Sequence, residues 1–235
     1  MKVIKIAGSK VIEVPFKIKD KKNIIEAVET SLSSLTYVKP KARELIVPGD
    51  FNELPNTIQG GLYKIGKTPE GTLYSSGNAG PGIQIEANIF FENSITSLFN
   101  NSYQLVVDLH NKNSGEYSLP KYQHSWFFIN RPTNREAGFH DHIKFNSSFP
   151  HDVTTYTWTT YIQLPDKCKD DEGKLAFQNE RTNEIETLEV KLNTLYIFPA
   201  SLLHRPNLSP NSSLSRITAA ANILIPGTKK SLFID

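Results

Sequence analysis

The chain has 235 residues, with 26 Lys and Arg against 24 Asp and Glu and a formal net charge of +2 with histidine neutral. A balance this near zero gives no electrostatic argument for a nucleic-acid or membrane-surface partner. At 38% hydrophobic and 21% charged residues the composition is that of a folded globular chain, not a disordered one. The single cysteine, Cys168, excludes an intramolecular disulfide and a Cys-based zinc site. The first residues lack the apolar core of a secretory signal, and no run of about 18 apolar residues suggests a membrane span. The expectation is a cytoplasmic protein with no membrane partner.

In chain order, Val3 to Lys19 alternates apolar and polar residues in short runs and reads as one or two strands. Lys21 to Leu35 sets Ile24, Ile25, Val28, Leu32 and Leu35 at helical spacing. Between Pro40 and Pro81, repeated glycines punctuate loops and brief strands. Glu92 to Leu109 places Ile95, Leu98, Phe99, Val106 and Leu109 on a second helical face. Past Pro120 the chain becomes a succession of β runs: Ser125 to Asn130, Thr154 to Leu164, Lys174 to Phe177, Thr187 to Leu192, Thr194 to Phe198 and Arg216 to Ile225. No helical crossovers separate these runs, so the expected fold is mainly β with flanking helices, a jelly roll. No linker divides it. We therefore expect one domain over 1–235, with supporting strands and helices in 1–119 and a jelly-roll core in 120–226.

Six histidines are present, and His140-Asp141-His142 is the most informative group. Residues two apart on a strand project from one face and can hold one metal ion between them. His204, after the apolar run Leu195 to Phe198, is the candidate third ligand. A strand-borne pair plus a distant histidine leaves one face of an octahedral metal open, as oxygen-activating non-haem iron requires. Twelve residues on, Arg216 opens an alternating run in which Arg216, Thr218, Ala220 and Asn222 share a face. An arginine and a hydroxyl side by side on that polar face make an anion site.

Taken in order, the pieces are Trp126 and Asn130, Gly138-Phe139-His140-Asp141-His142, Tyr161 to Pro165, Gly173 to Phe177, Phe198 to His204, and Arg216-Ile217-Thr218 with Asn222. Residues 126–222 resemble the catalytic core of the iron(II)- and 2-oxoglutarate-dependent oxygenases. The nearest likeness is to the small, prolyl-hydroxylase-like branch of marine bacteria and phages. The resemblance implies a double-stranded β-helix in which His140 and His204 ligate Fe(II). It implies that Arg216 and Thr218 bind the distal carboxylate of 2-oxoglutarate, with Tyr161 hydrogen-bonded to the same group. The implied reaction takes O2 and 2-oxoglutarate, releases succinate and CO2, and hydroxylates an unactivated C–H bond of a small molecule or a side chain.

The superfamily's common ligand motif is His-x-Asp or His-x-Glu, and this chain has no such triplet: His142 stands at the carboxylate position, as it often does in that branch. Asp141 is the other reading for the second ligand, if the strand bulges. Two alternative functions stand beside the oxygenase. One is a three-histidine cupin-type dioxygenase that uses no 2-oxo acid, and the other is a metal-free jelly-roll binding module. His110, His124 and the His151-Asp152 pair receive no role, and Tyr156 and Trp158 are read as sheet packing in preference to a substrate mouth. Gly60 to Gly82 and Ile143 to Asp152 are the stretches expected to set the substrate. A homodimer is the commonest assembly for such a chain.

Overall fold

The computed structural model describes residues 1–33, 35–38, 61–68, 71–77, 82–87, 90, 92–115, 122–132, 137–142, 153–226 and 232–233. Within them lie β1 (Lys2–Ile6), β2 (Ser9–Pro15), α1 (Lys21–Ser33), β3 (Leu35–Val38), β4 (Gly61–Thr68), β5 (Gly71–Gly77), β6 (Gly82–Glu86) and α2 (Asn93–Ser114). They are followed by β7 (Tyr122–Asn130), β8 (Val153–Gln163), β9 (Leu175–Gln178), β10 (Ile185–Leu188), β11 (Thr194–Pro199), β12 (Leu203–Pro206) and β13 (Arg216–Pro226). Seven strands form one antiparallel sheet in the order β1-β2-β11-β8-β13-β7-β6. A smaller sheet, β10-β9-β12, carries His204, and a third joins β3, β4 and β5. The fold is mainly β with two flanking helices, a double-stranded β-helix, as the turn-separated runs imply. The first two strands are part of its large sheet, because β2 pairs with β11 from Thr194 opposite Pro15 to Ile197 opposite Ile12.

The alternation along β8 and β13 divides the interior in two. On one face of the large sheet, Tyr156, Trp158, Ile162, Ile217, Ala219, Ala221, Ile223 and Ile225 join Phe127 and Ile129 of β7 in the main apolar core. Helix residues Ile24, Val28, Ile95, Leu98, Phe99 and Val106 cover that face. Phe127 sits at its centre, with Phe90 and Phe99 edge-on at 5.3 Å each. The other face meets the small sheet across a second cluster that includes Tyr161, Leu175, Phe177, Tyr196, Phe198 and Leu202. Here the apolar side chains share space with polar ones, and every residue singled out for chemistry on β8, β12 or β13 points into it.

Helix α2 contains five asparagines, poor helix formers, so burial of its apolar face and not intrinsic propensity holds it. It runs five residues past the apolar run read from the sequence and stops at Gly115, whose left-handed backbone lets its N–H donate to the Asn111 carbonyl. Helix α1 ends at Ser33 rather than Leu35. The expected strand over Thr187 to Leu192 is instead β10, ending at Leu188, because Leu192 forms a parallel bridge to Tyr161 of the large sheet. His204 lies on a strand of its own, β12. Residues 143–152 lie outside the described residues, as do 39–60. Phe127→Ala should lower unfolding stability by about 3–5 kcal/mol, the usual cost of emptying a large aromatic site in a core, measurable by urea denaturation.

Candidate metal centre

Residues 137–142 belong to no strand, so the expectation that one strand carries both His140 and His142 is corrected. The segment is ordered by pairing with the small sheet. The His140 N–H donates to the His204 carbonyl at 3.1 Å, and the His204 N–H to the His140 carbonyl at 3.0 Å. Two residues past the bridge, the His142 N–H donates to the Ala200 carbonyl at 2.8 Å. Arg205 reinforces the junction from the opposite side of β12: its Nη1 donates to the Ala137 carbonyl at 3.2 Å, and its guanidinium lies 4.6 Å over the Phe139 ring.

This pairing brings the ring nitrogens of His140, His142 and His204 within 4.8 Å of one another. The Nε2 atoms of His142 and His204 are 3.2 Å apart, near the roughly 3.0 Å that separates two adjacent nitrogens on an octahedral ion with bonds of about 2.1 Å. Asp141, the other candidate for second ligand, is not among the converging side chains. His142 and His204 are buried and His140 stands at the solvent rim. Trp126 stacks on His142 at 5.5 Å, and Phe198 meets His204 edge-on at 4.8 Å. Burial pushes His204 well below the ordinary histidine range, and the fields of His140, His142 and Arg216 add to it. Burial lowers His140 too, against the Gly138 carbonyl and Asp141. Neutral imidazole is the form that ligates a metal, so these donors need lose no proton to do so.

At the other end of the same interior lies Arg216. It is 4% exposed, yet among the described residues no carboxylate pairs with it. Nη2 donates to the Tyr161 hydroxyl at 2.9 Å, Nη1 to the Lys174 carbonyl at 3.3 Å, and the guanidinium lies 4.7 Å over the Tyr161 ring. Nε has no partner. Thr218, also buried, stands opposite Tyr161, beside a register irregularity between Ile217 and Thr218 that breaks the regular pairing of β13 with β8. Sequence reasoning assigned no role to Asn130, which faces Arg216 directly across β7 and β13. It is 3% exposed with neither side-chain amide atom hydrogen-bonded. The Thr159 hydroxyl is likewise buried without a partner. The available signal was a polar residue closing the apolar run of β7 at an inward position.

A buried cation without a counter-charge and buried polar atoms without partners are both costly unless a ligand completes them. The donor set therefore fits an anion at the arginine end and a metal cation at the histidine end. The strand β8 spans the two: Thr157 reaches Asn222 beside His142, Thr159 comes next on that face, and Tyr161 holds Arg216. His110 is elsewhere, buried on α2 with Nδ1 2.9 Å from the Tyr156 hydroxyl. Tyr156 and Trp158 lie in the helix-covered core. His151 and Asp152 lie outside the described residues, as does the side chain of His124.

No protein-family model matches the chain, and no curated protein matches it. Solved structures do. A prolyl hydroxylase from Trichoplax adhaerens, in complex with a hypoxia inducible factor peptide fragment, superposes with a TM-score of 0.52 at 10% identity, over 92% of this chain and 83% of that one. A Pseudomonas putida prolyl-4-hydroxylase gives 0.52 at 12% identity over 94% and 95%. The non-haem alpha-ketoglutarate-dependent epimerase SnoN of nogalamycin biosynthesis gives 0.52 at 10% identity over 91% and 78%, and SnoN has been solved with Fe3+ and alpha-ketoglutarate. The fold is thus one that iron- and 2-oxo-acid-dependent oxygenases use, and at these identities the likeness is one of fold. Among the described residues no helix is long and apolar enough to cross a membrane.

His204 titrates near 6.5 in an unfolded chain and lower when folded, so it contributes stability that is present above about pH 6.5 and lost as pH falls toward the folded value. The melting temperature of the metal-free protein should accordingly drop between pH 7 and pH 5, and His204→Asn should flatten much of that drop.

Proposed function

We propose that this protein is an iron(II)- and 2-oxoglutarate-dependent dioxygenase that hydroxylates an unactivated C–H bond of a small molecule or a side chain. One observation carries the reading: Arg216 is buried, with no counter-charge among the described residues, at the opposite end of the interior from the three histidines. A three-histidine dioxygenase that uses no 2-oxo acid has no need of such a cation, and a metal-free binding module has no need of three converging imidazoles.

In this reading His140, His142 and His204 hold the iron, with His142 in preference to Asp141 as second ligand. Arg216, Thr218 and Tyr161 hold the distal carboxylate of 2-oxoglutarate. Because Tyr161 accepts from Arg216 Nη2, its own O–H is free to donate to that carboxylate, and the unpartnered Arg216 Nε and Asn130 amide supply further donors. When bound, iron and 2-oxoglutarate together supply the oxidising power for O2-dependent C–H hydroxylation, with succinate and CO2 as the other products. The chain's share is to fix both ends of the co-substrate, keep His140 and His204 neutral, and shield the buried ligands with Trp126, Phe177 and Phe198.

Anaerobic addition of 2-oxoglutarate to the iron(II)-loaded protein should give a saturable visible charge-transfer band. Arg216→Ala should keep the iron and weaken 2-oxoglutarate by about 10- to 100-fold, since a charge-assisted hydrogen bond contributes about 1.5–3 kcal/mol. His204→Ala should lose the iron. Bound iron with no band in the wild type would favour the three-histidine dioxygenase, and no iron binding would leave the binding module.

A further inference from the structure

Thr157, Thr159 and Tyr161 follow one another at every second residue on the inward face of β8. The outer two hydroxyls are engaged: Thr157 donates to Asn222 Oδ1 at 2.9 Å, and the Tyr161 hydroxyl accepts from Arg216 Nη2 at 2.9 Å. The hydroxyl between them has no partner among the described residues, although Thr159 is only 6% exposed. A strand rises about 3.4 Å per residue, so Thr159 stands about 7 Å along β8 from each of its two neighbours on that face.

The side chains on either side do not complete it. Across β13 it faces Ala220, which has no polar side-chain atom, and across β11 it faces Tyr196. The Tyr196 hydroxyl is turned to the backbone, where it accepts the Lys191 N–H at 3.0 Å. Ala220 in turn lies opposite Trp126 of β7, the residue stacked on His142. The level of Thr159 is therefore the stretch of the inward face between the histidines and Arg216, and a methyl group floors it. Valine has nearly the same size and an equal preference for strands, so packing alone gives no reason for a buried hydroxyl that costs stability.

We propose that Thr159 binds the co-substrate, donating its hydroxyl to the carboxylate of 2-oxoglutarate that lies nearer the histidines. The inference rests on the reading that the interior holds 2-oxoglutarate with its distal carboxylate at Arg216. Donors for that distal group already gather at its end, where Thr218 stands opposite Tyr161 and Tyr161 meets Arg216. Thr159 is one step closer to the histidines, and it is the polar side chain that β8 and β13 place at that level. A molecule reaching from Arg216 toward the histidines passes over Ala220 beside this hydroxyl, and a hydroxyl donating to a carboxylate makes a charge-assisted bond. The hydroxyl costs stability and serves binding, so its removal should move the two in opposite directions.

The test compares Thr159→Val and Thr159→Ser with the wild type in the full chain. Thr159→Val should melt at the wild-type temperature or above and bind cobalt(II) as the wild type does. It should take 2-oxoglutarate into the cobalt(II)-loaded protein about tenfold more weakly, by calorimetric titration, as expected for one charge-assisted hydrogen bond. Thr159→Ser, which keeps the hydroxyl, should keep the wild-type affinity. Thr159→Val should also shift the maximum of the anaerobic iron(II)–2-oxoglutarate band, because the lost bond is to the carboxylate beside the 2-oxo group. Wild-type affinity in Thr159→Val, or a lower melting temperature, would overturn the inference and leave the co-substrate reading standing. Weaker binding with an unshifted band would overturn the assignment to the nearer carboxylate. A wild type that binds cobalt(II) but no 2-oxoglutarate would overturn the co-substrate reading and this inference with it.

Discussion

Two reciprocal backbone hydrogen bonds, between His140 and His204, hold the candidate centre together. Each histidine sits in a short segment that would not order alone. Residues 137–142 form no strand, and β12 is four residues long and pairs on its other side with β9. The bridge gives both segments a partner and sets the two rings 4.6 Å apart by centroid. The Arg205 contact to Ala137 and the His142 bond to Ala200 lie on either side of it and limit how far the segment can twist. The convergence of the three histidines is in this sense a property of the pairing between a loop and the small sheet, and not of a preformed strand.

Burial then determines the chemistry. An imidazole placed among Phe177, Phe198 and two other imidazoles loses solvation for its charged form, so His204 stays neutral. A guanidinium buried with no carboxylate partner among the described residues, as Arg216 is, suits an anion. Its field is felt at His204, which couples the two ends: an anion at Arg216 relieves some of the repulsion that a cation would meet among the histidines.

Much of this was legible in the sequence because one strand, β13, carries two demands on one alternating pattern. Ile217, Ala219, Ala221 and Ile223 mark the face that the helices cover, and by elimination Arg216, Thr218 and Asn222 mark the inward one. The residues of the centre were legible as a short polar motif and a distant histidine. What was not legible follows from tertiary pairing. β12 exists because β9 and His140 flank it, and nothing in Leu203-His204-Arg205-Pro206 alternates strongly enough to announce it. Asn130 reads as an ordinary strand end until Arg216 is placed opposite, and only then does its unsatisfied amide stand out.

In the proposed oxygenase reading, His142 stands where the family's common motif has a carboxylate, and that changes more than a charge. Three neutral donors leave a divalent ion with its full double charge, so the compensation must come from what binds beside it, and a dicarboxylate spanning to Arg216 meets that need better than a neutral ligand. The same replacement introduces a nitrogen that can be wrongly protonated, where a carboxylate at neutral pH offers lone pairs on both oxygens. Asn222 and Thr157, two buried polar residues on adjacent central strands, meet that nitrogen as a hydrogen-bonded pair. A polar pair of this kind costs stability in an apolar interior unless satisfied, and here each member has a partner. In that reading the inward face of β13 is polar at both ends for two reasons: Arg216 at one end would answer an anion, and Asn222 at the other faces the His142 imidazole.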